Sequence, residues 1–160
     1  MILGHAEIVR RETALCVVIS IAISAVVFAL VFGFSGPTAV RGLRGFAFDF
    51  VPQAFMVALM GSAVPALVVA SRQNLLPGVQ FASVSGKTAI AARAVLVAVA
   101  AALALGGAAL GLLYMTRMAT MPPLAGAGIK MLFGGAVALL VTPGSLRHVL
   151  PAAPAEAVQR

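Results

Sequence analysis

The sequence predicts an all-α integral membrane protein: a four-helix bundle with both termini in the cytoplasm. Three observations lead there. The 160 residues are 62% hydrophobic and 9% charged, against roughly 25% charged residues in a soluble domain. Four stretches are apolar over about the 20 residues that a helix needs to cross a bilayer. Cationic residues fall between these stretches and favour one side of the membrane. Mean hydropathy is +1.11, so lipid has to be the solvent for much of the chain. Residues 1–160 read as a single transmembrane domain, with no room for a separate soluble one. In lipid every backbone polar group must be satisfied within a helix or a closed barrel. The runs are continuously apolar and do not alternate as barrel strands do, which leaves helices.

The first span is expected over 13–34. Arg10-Arg11 precede it as in a signal peptide, but the run is longer than the roughly 7–15 residues of a signal core. No small-x-small cleavage site follows, so a retained helix acting as signal anchor is expected. Cys16, Ser20 and Ser24 recur every fourth residue, with Phe28 continuing their face. Small, weakly polar residues on one face let a neighbouring helix approach closely. Cys16 is the lone cysteine, which excludes an intramolecular disulfide, and its apolar setting marks a buried thiol.

The second span is expected over 50–70. Asp49 and Gln53 stand one helical turn apart at its mouth, and their face runs on to Met56, Met60 and Val64. Pro65 lies inside the span; it removes an amide, so the carbonyl of Gly61 loses its helical partner and a kink is expected at Gly61–Pro65. Ser20 or Ser24 is the expected donor to that freed carbonyl. Five of the nine phenylalanines (Phe32, Phe34, Phe46, Phe48 and Phe50) flank the preceding loop, whose Gly36-Pro37 marks a turn. They form an interfacial aromatic cluster, with docking on another subunit as its sharper use.

The third span is expected over 89–114. Gly107-Ala-Ala-Leu-Gly111 within it is a G-x-x-x-G pair, suited to close helix packing inside the bundle or to a homodimer face. Met121-Pro122-Pro123 then stops continuation. The fourth span, over 124–142, is the weakest, because Lys130 interrupts it and Pro143 follows; a re-entrant segment is the alternative. Gly126, Lys130, Gly134, Ala138 and Thr142 stand four apart as a small-residue stripe carrying one amine. That amine either snorkels to the interface or pairs with Asp49. Thr142-Pro143-Gly144 should end the helix and 145–160 should fray.

Topology follows from the cations. With four spans, Arg10, Arg11, Arg72, Lys87, Arg93, Arg147 and Arg160 share one side, against Arg41, Arg44, Arg117 and Lys130 on the other. Seven against four puts the termini in the cytoplasm. Gly61-Ser-Ala-Val-Pro-Ala-Leu-Val68 and Gly134-Gly-Ala-Val-Ala-Leu-Leu-Val141 share five of eight residues. The 73-residue offset suggests a parallel repeat of two helix pairs.

The net charge of +7 does not point to nucleic acid, since the basic residues are scattered between spans and not gathered on one face. Ser85-Gly86-Lys87-Thr88 matches only the end of a phosphate-binding loop, with Phe81 where its first glycine belongs. The four acids, Glu7, Glu12, Asp49 and Glu156, avoid mid-span positions. His5 and His148 fall at or beyond the span ends, so neither cofactor nor metal site is expected, and catalysis is not expected. Asp49, Gln53 and Lys130 are the candidate polar lock or entrance. Ser20, Ser24, Gly61, Pro65, Gly107, Gly111 and Gly134 are the candidate packing residues. The expected role is a non-catalytic accessory or scaffold subunit of a larger complex in the bacterial inner membrane. Its partners would be lipids and another membrane protein or further copies of itself. The alternative is a small oligomeric transporter or channel with a path beside the second helix.

Overall fold

A computed structural model describes residues 5–71 and 87–149. The chain forms α1 (His5–Val31), a short strand β1 (Thr38–Ala39), α2 (Phe50–Ser71) and α3 (Lys87–Ala101). A π-helical turn (Ala102–Gly106) then joins α3 to α4 (Gly107–Met115), followed by β2 (Thr120–Met121) and α5 (Pro123–Val149). Four helical segments, Ala6–Val31, Phe50–Val69, Thr88–Met115 and Pro123–Val149, are long and apolar enough to cross a membrane.

The bundle is laid out by α5, which packs along α1 on one side and along α2 on the other, while α3 packs on the far side of α2. Apolar contact is arranged in three layers. At one end the beginning of α1 (Ile8), the end of α2 (Val69) and the end of α5 (Leu146) meet. In the middle Ala58, Ala98, Ala101 and Val137 bring α2, α3 and α5 together. At the opposite end Phe28, Val40, Phe46, Phe50, Met121 and Ala127 close the bundle.

That last layer is an aromatic stack. Phe46 meets Phe50 edge-on at 5.1 Å between centroids, and Phe50 meets Phe133 at 4.8 Å. Phe28 reaches Phe46 at 6.1 Å. Edge-to-face pairs contribute about 0.5–1.5 kcal/mol each beyond the area they bury. Of the five phenylalanines flanking the loop, Phe46 and Phe50 are buried and Phe32 half-buried, while Phe34 and Phe48 are exposed. Most of the cluster is therefore spent on the chain's own interior.

The two connections at this end are stitched to one another. β1 pairs antiparallel with β2, with Thr38 opposite Met121 and Ala39 opposite Thr120. The Val40 amide donates to Ala119 at 2.9 Å and the Phe46 amide to Ala39 at 2.9 Å. Gly33, at φ +66, supplies the left-handed residue that turns the chain out of α1. Tyr114 completes the tie: its hydroxyl accepts from the Gly42 amide at 3.2 Å, and the Arg41 guanidinium lies over its ring at 5.9 Å.

Three expectations need correction. The fourth helix does not end at Thr142–Gly144: α5 runs through Pro143 to Val149 and takes in 145–149. Proline removes one amide bond and crowds the carbonyl four residues back, at about 3 kcal/mol, but Leu146 is fully buried against Ile8 and Val69, which holds the last turns in place. The remaining tail, 150–160, lies outside the described residues, as does the loop over 72–86. The first helix also begins earlier than expected, at His5, and ends at Val31.

The third correction concerns glycines. Gly107 and Gly111 have open space where a side chain would stand, so among the described residues nothing packs against their G-x-x-x-G pair. The close approach belongs to Gly106, where a Cβ would lie 2.8 Å from the Cα of Val51 and 3.0 Å from the Phe50 carbonyl oxygen. The π turn shifts the helical phase just there, which turns Gly106 inward and Gly107 aside. Replacing Gly106 with alanine should cost about 1–3 kcal/mol, because a backbone has to move. Gly107→Ala should stay within about 0.5 kcal/mol. Unfolding titrations of the two variants in mixed micelles measure the difference.

Candidate functional site

A helix crossing lipid has no water to satisfy a polar side chain, so each one must find a partner in the bundle. Three polar residues do so at one level. Lys130 lies about 10 Å along α5 from its first residue and is only 1% exposed. Its ammonium forms an ion pair with Asp49, immediately before α2. It also faces the Phe32 ring at 5.3 Å, close enough for a cation–π contribution. Asp49 gains further from its place at the start of α2, where the helix dipole favours a negative charge. The amine therefore does not snorkel to water; α2 supplies its counter-charge inside the bundle.

One turn into α2, Gln53 binds the other two helices. Its side-chain amide donates to Ser24 Oγ on α1 at 2.9 Å and to the Lys130 carbonyl on α5 at 3.0 Å. A carbonyl oxygen only accepts, so the bond to Lys130 fixes which way the amide points. Gly134 makes this bond possible. A Cβ there would collide with Ser24 Oγ and stand 3.1 Å from the Gln53 amide nitrogen and 3.4 Å from the Ser20 carbonyl oxygen. The stripe Gly126, Lys130, Gly134, Ala138 and Thr142 is buried throughout, and it is the seam along which α5 is held.

The structure thus brings Asp49, Gln53 and Lys130 together, and adds Ser24 and Gly134. It separates Gly61 from the hydroxyls expected to serve it. Ser24 is engaged by Gln53, and neither Ser20 nor Ser24 donates to the Gly61 carbonyl among the described hydrogen bonds. The physical reason is that α5 stands between α1 and most of α2. The hydroxyl facing Gly61 is that of Thr142 on α5, 3.0 Å from where a Cβ on Gly61 would lie. Pro65 is fully buried and α2 continues through it to Ser71.

The Ser24–Gln53 bond went unforeseen. Its signal was depth: Ser24 lies four residues, about one turn, on the inner side of Phe28, and Gln53 lies one turn inside Asp49, so both fall at one level.

The cation and anion of the site neutralise one another and both Gln53 amide protons are used, while the buried Gln53 Oε1 has no hydrogen-bond partner among the described residues. Among the described residues no group of three or more His, Cys, Asp or Glu could hold a metal ion. A cavity of about 180 Å³ adjoins Asp49, Gln53 and Lys130, and a more apolar one of about 340 Å³ continues between α1 and α2 past Met56, Met60 and Val64. No family model, curated protein or solved structure matches the chain.

Removing one member of the buried pair leaves the other uncompensated, at about 3–5 kcal/mol. Lys130→Met and Asp49→Leu should each destabilise the bundle on that scale. The double variant should recover at least half of the summed loss. Gln53→Leu, which removes hydrogen bonds but no charge, should cost about 1–2 kcal/mol. A double-mutant cycle of unfolding free energies in micelles checks all three.

Proposed function

We propose that the chain is a non-catalytic accessory or scaffold subunit that docks, within the membrane, on a larger assembly through the outer face of α3 and α4. The observation that carries this reading is the idle glycine pair. Gly107 and Gly111 have nothing within 4 Å of their would-be side chains. Ala100, Ala104 and Ala108 are exposed on the same segment. A small-residue stripe costs a helix side-chain packing and gains only where another helix approaches. Among the described residues none does.

The membrane proposed is the bacterial inner membrane, where helical spans with cationic loops on one side belong. The seven-to-four distribution of cations supports both termini lying in its cytoplasm. We also infer a parallel repeat, with α1–α2 equivalent to α3/α4–α5. Two features support it. The pair α1 with α5 mirrors the pair α3 with α2, and β1, after the first helix of one half, pairs antiparallel with β2, after the first helix of the other.

A second reading, a small oligomeric transporter, is favoured by one observation. Met56, Met60 and Val64 are about half exposed along the cavity between α1 and α2, and Asp49 and Gln53 line the smaller cavity that adjoins it at Met56. Purification in mild detergent separates the two. A subunit co-purifies in fixed stoichiometry with a larger assembly, and Gly107→Leu with Gly111→Leu abolishes that association while the chain stays folded. A stable homo-oligomer that moves solute in liposomes, and stops with Asp49→Asn, would overturn the subunit reading.

A further inference from the structure

The cation-rich end of the bundle contains a second polar site, separate from the Asp49–Lys130 pair. A pocket of about 230 Å³ opens between α2, α3 and α5. Ala66 and Ala94 form part of its apolar floor, and Ser62, Arg93, Ser145 and His148 supply its polar groups. Arg93 stands about 9 Å along α3 from its first residue, inside the segment apolar enough to span. Its side chain is exposed at the rim of the pocket, as is that of His148, and a guanidinium within a spanning segment favours a counter-charge. The described carboxylates do not provide one: Glu7 pairs with Arg10, Asp49 pairs with Lys130 at the opposite end, and Glu12 lies on α1, which does not line the pocket. His148 adds a second nitrogen donor. Ser62 is already committed, donating to the Ala58 carbonyl at 2.6 Å. Ser145 is 7% exposed, lines the pocket and has no hydrogen-bond partner among the described residues.

We propose that this pocket binds a phosphate group, held by Arg93 and His148 with the Ser145 hydroxyl as a further donor. The argument is charge complementarity: a guanidinium and an imidazole at its rim and a buried hydroxyl line one pocket, with no acid among its described lining. A guanidinium fork matches phosphate oxygens two at a time, and charge-assisted bonds of this kind are roughly twice as strong as neutral ones. The phosphate comes either from a phospholipid headgroup or from free phosphate.

The full-length chain, stripped of lipid in neutral detergent, tests this in two arms. In the first, native mass spectrometry follows retention of added phosphatidylglycerol. In the second, thermal stability is followed against inorganic phosphate. Arg93→Gln should lower phosphate-group binding roughly tenfold, and Ser145→Ala and His148→Asn should lower it less. Arg147→Gln, which removes an exposed cation beside α1, should leave it unchanged. Retained phosphatidylglycerol with no response to inorganic phosphate assigns the headgroup; stabilisation by inorganic phosphate that Arg93→Gln removes assigns the free ion. Either supports the site. Equal behaviour of wild type and Arg93→Gln in both arms overturns it, as does an equal loss with Arg147→Gln. Should Arg93→Gln fail to fold, as judged by helical circular dichroism, His148→Asn carries the same comparison.

Discussion

The bundle depends on where one ammonium group goes. Lys130 is fully buried in the first third of α5, and in lipid an isolated charge there would exclude the helix from the position it occupies. Its pairing with Asp49 fixes the height of α5 against α2. A slip of one turn, about 5.4 Å, would strand both charges. Gln53 extends the constraint to α1 through Ser24, so one cluster sets the relative level of three helices. Ion pairs are poor sources of stability when buried; what this one provides is register.

Register matters more here than in water because apolar surface gains little by leaving lipid for another helix. Close van der Waals contact must supply the attraction, and only small residues allow it. The glycines therefore sit where backbones or polar atoms come nearest. Gly134 makes room for Ser24 and Gln53, Gly126 receives the Phe28 ring, Gly135 receives Ile21, and Gly106 meets the first turn of α2. Shifting α5 against α1 by a few ångströms would put side chains into each of those gaps. The polar cluster and the glycine gaps thus enforce the same alignment, one by electrostatics and the other by sterics.

How much of this was legible follows from what kind of signal each feature leaves. Continuous apolar runs mark the spans, and all four were placed with boundaries off by a few residues. The exceptions are the start of α1, eight residues ahead of the expected Thr13, and the end of α5, where Pro143 reads as a stop. Proline raises the cost of a helix but does not forbid it when tertiary contacts hold both sides, as Leu146 does here. The Asp49–Lys130 pair was legible because charges in such a chain are few and those two share a level. The pairing of β1 with β2 was not legible: two residues per strand carry no periodicity. Nor was the choice of Gly106 over Gly107, because the π turn that makes the choice changes the helical phase without a sequence mark. Of the phenylalanines, Phe46 and Phe50 are consumed in the interior while Phe34 and Phe48 stay exposed, and the α3–α4 face is left open among the described residues.

The two ends of the bundle are built on opposite plans, and this bears on where the protein can yield. The end with Asp49 carries the aromatic stack, the strand pair, the Tyr114 ties and the ion pair, so its helices are cross-linked by directional bonds. The other end relies on a small apolar layer of Ile8, Val69 and Leu146. Both intrahelical prolines, Pro65 in α2 and Pro143 in α5, lie in that half, and each removes one backbone bond from the helix that carries it. Arg93, Arg147 and His148 gather there without described acid partners. Bending of α2 and α5 should therefore be easiest between the prolines and the cationic ends, with the Asp49 end as the fixed point. A phosphate group bridging α3 and α5 at Arg93 and His148 would then supply the cross-link that this half lacks within the chain itself.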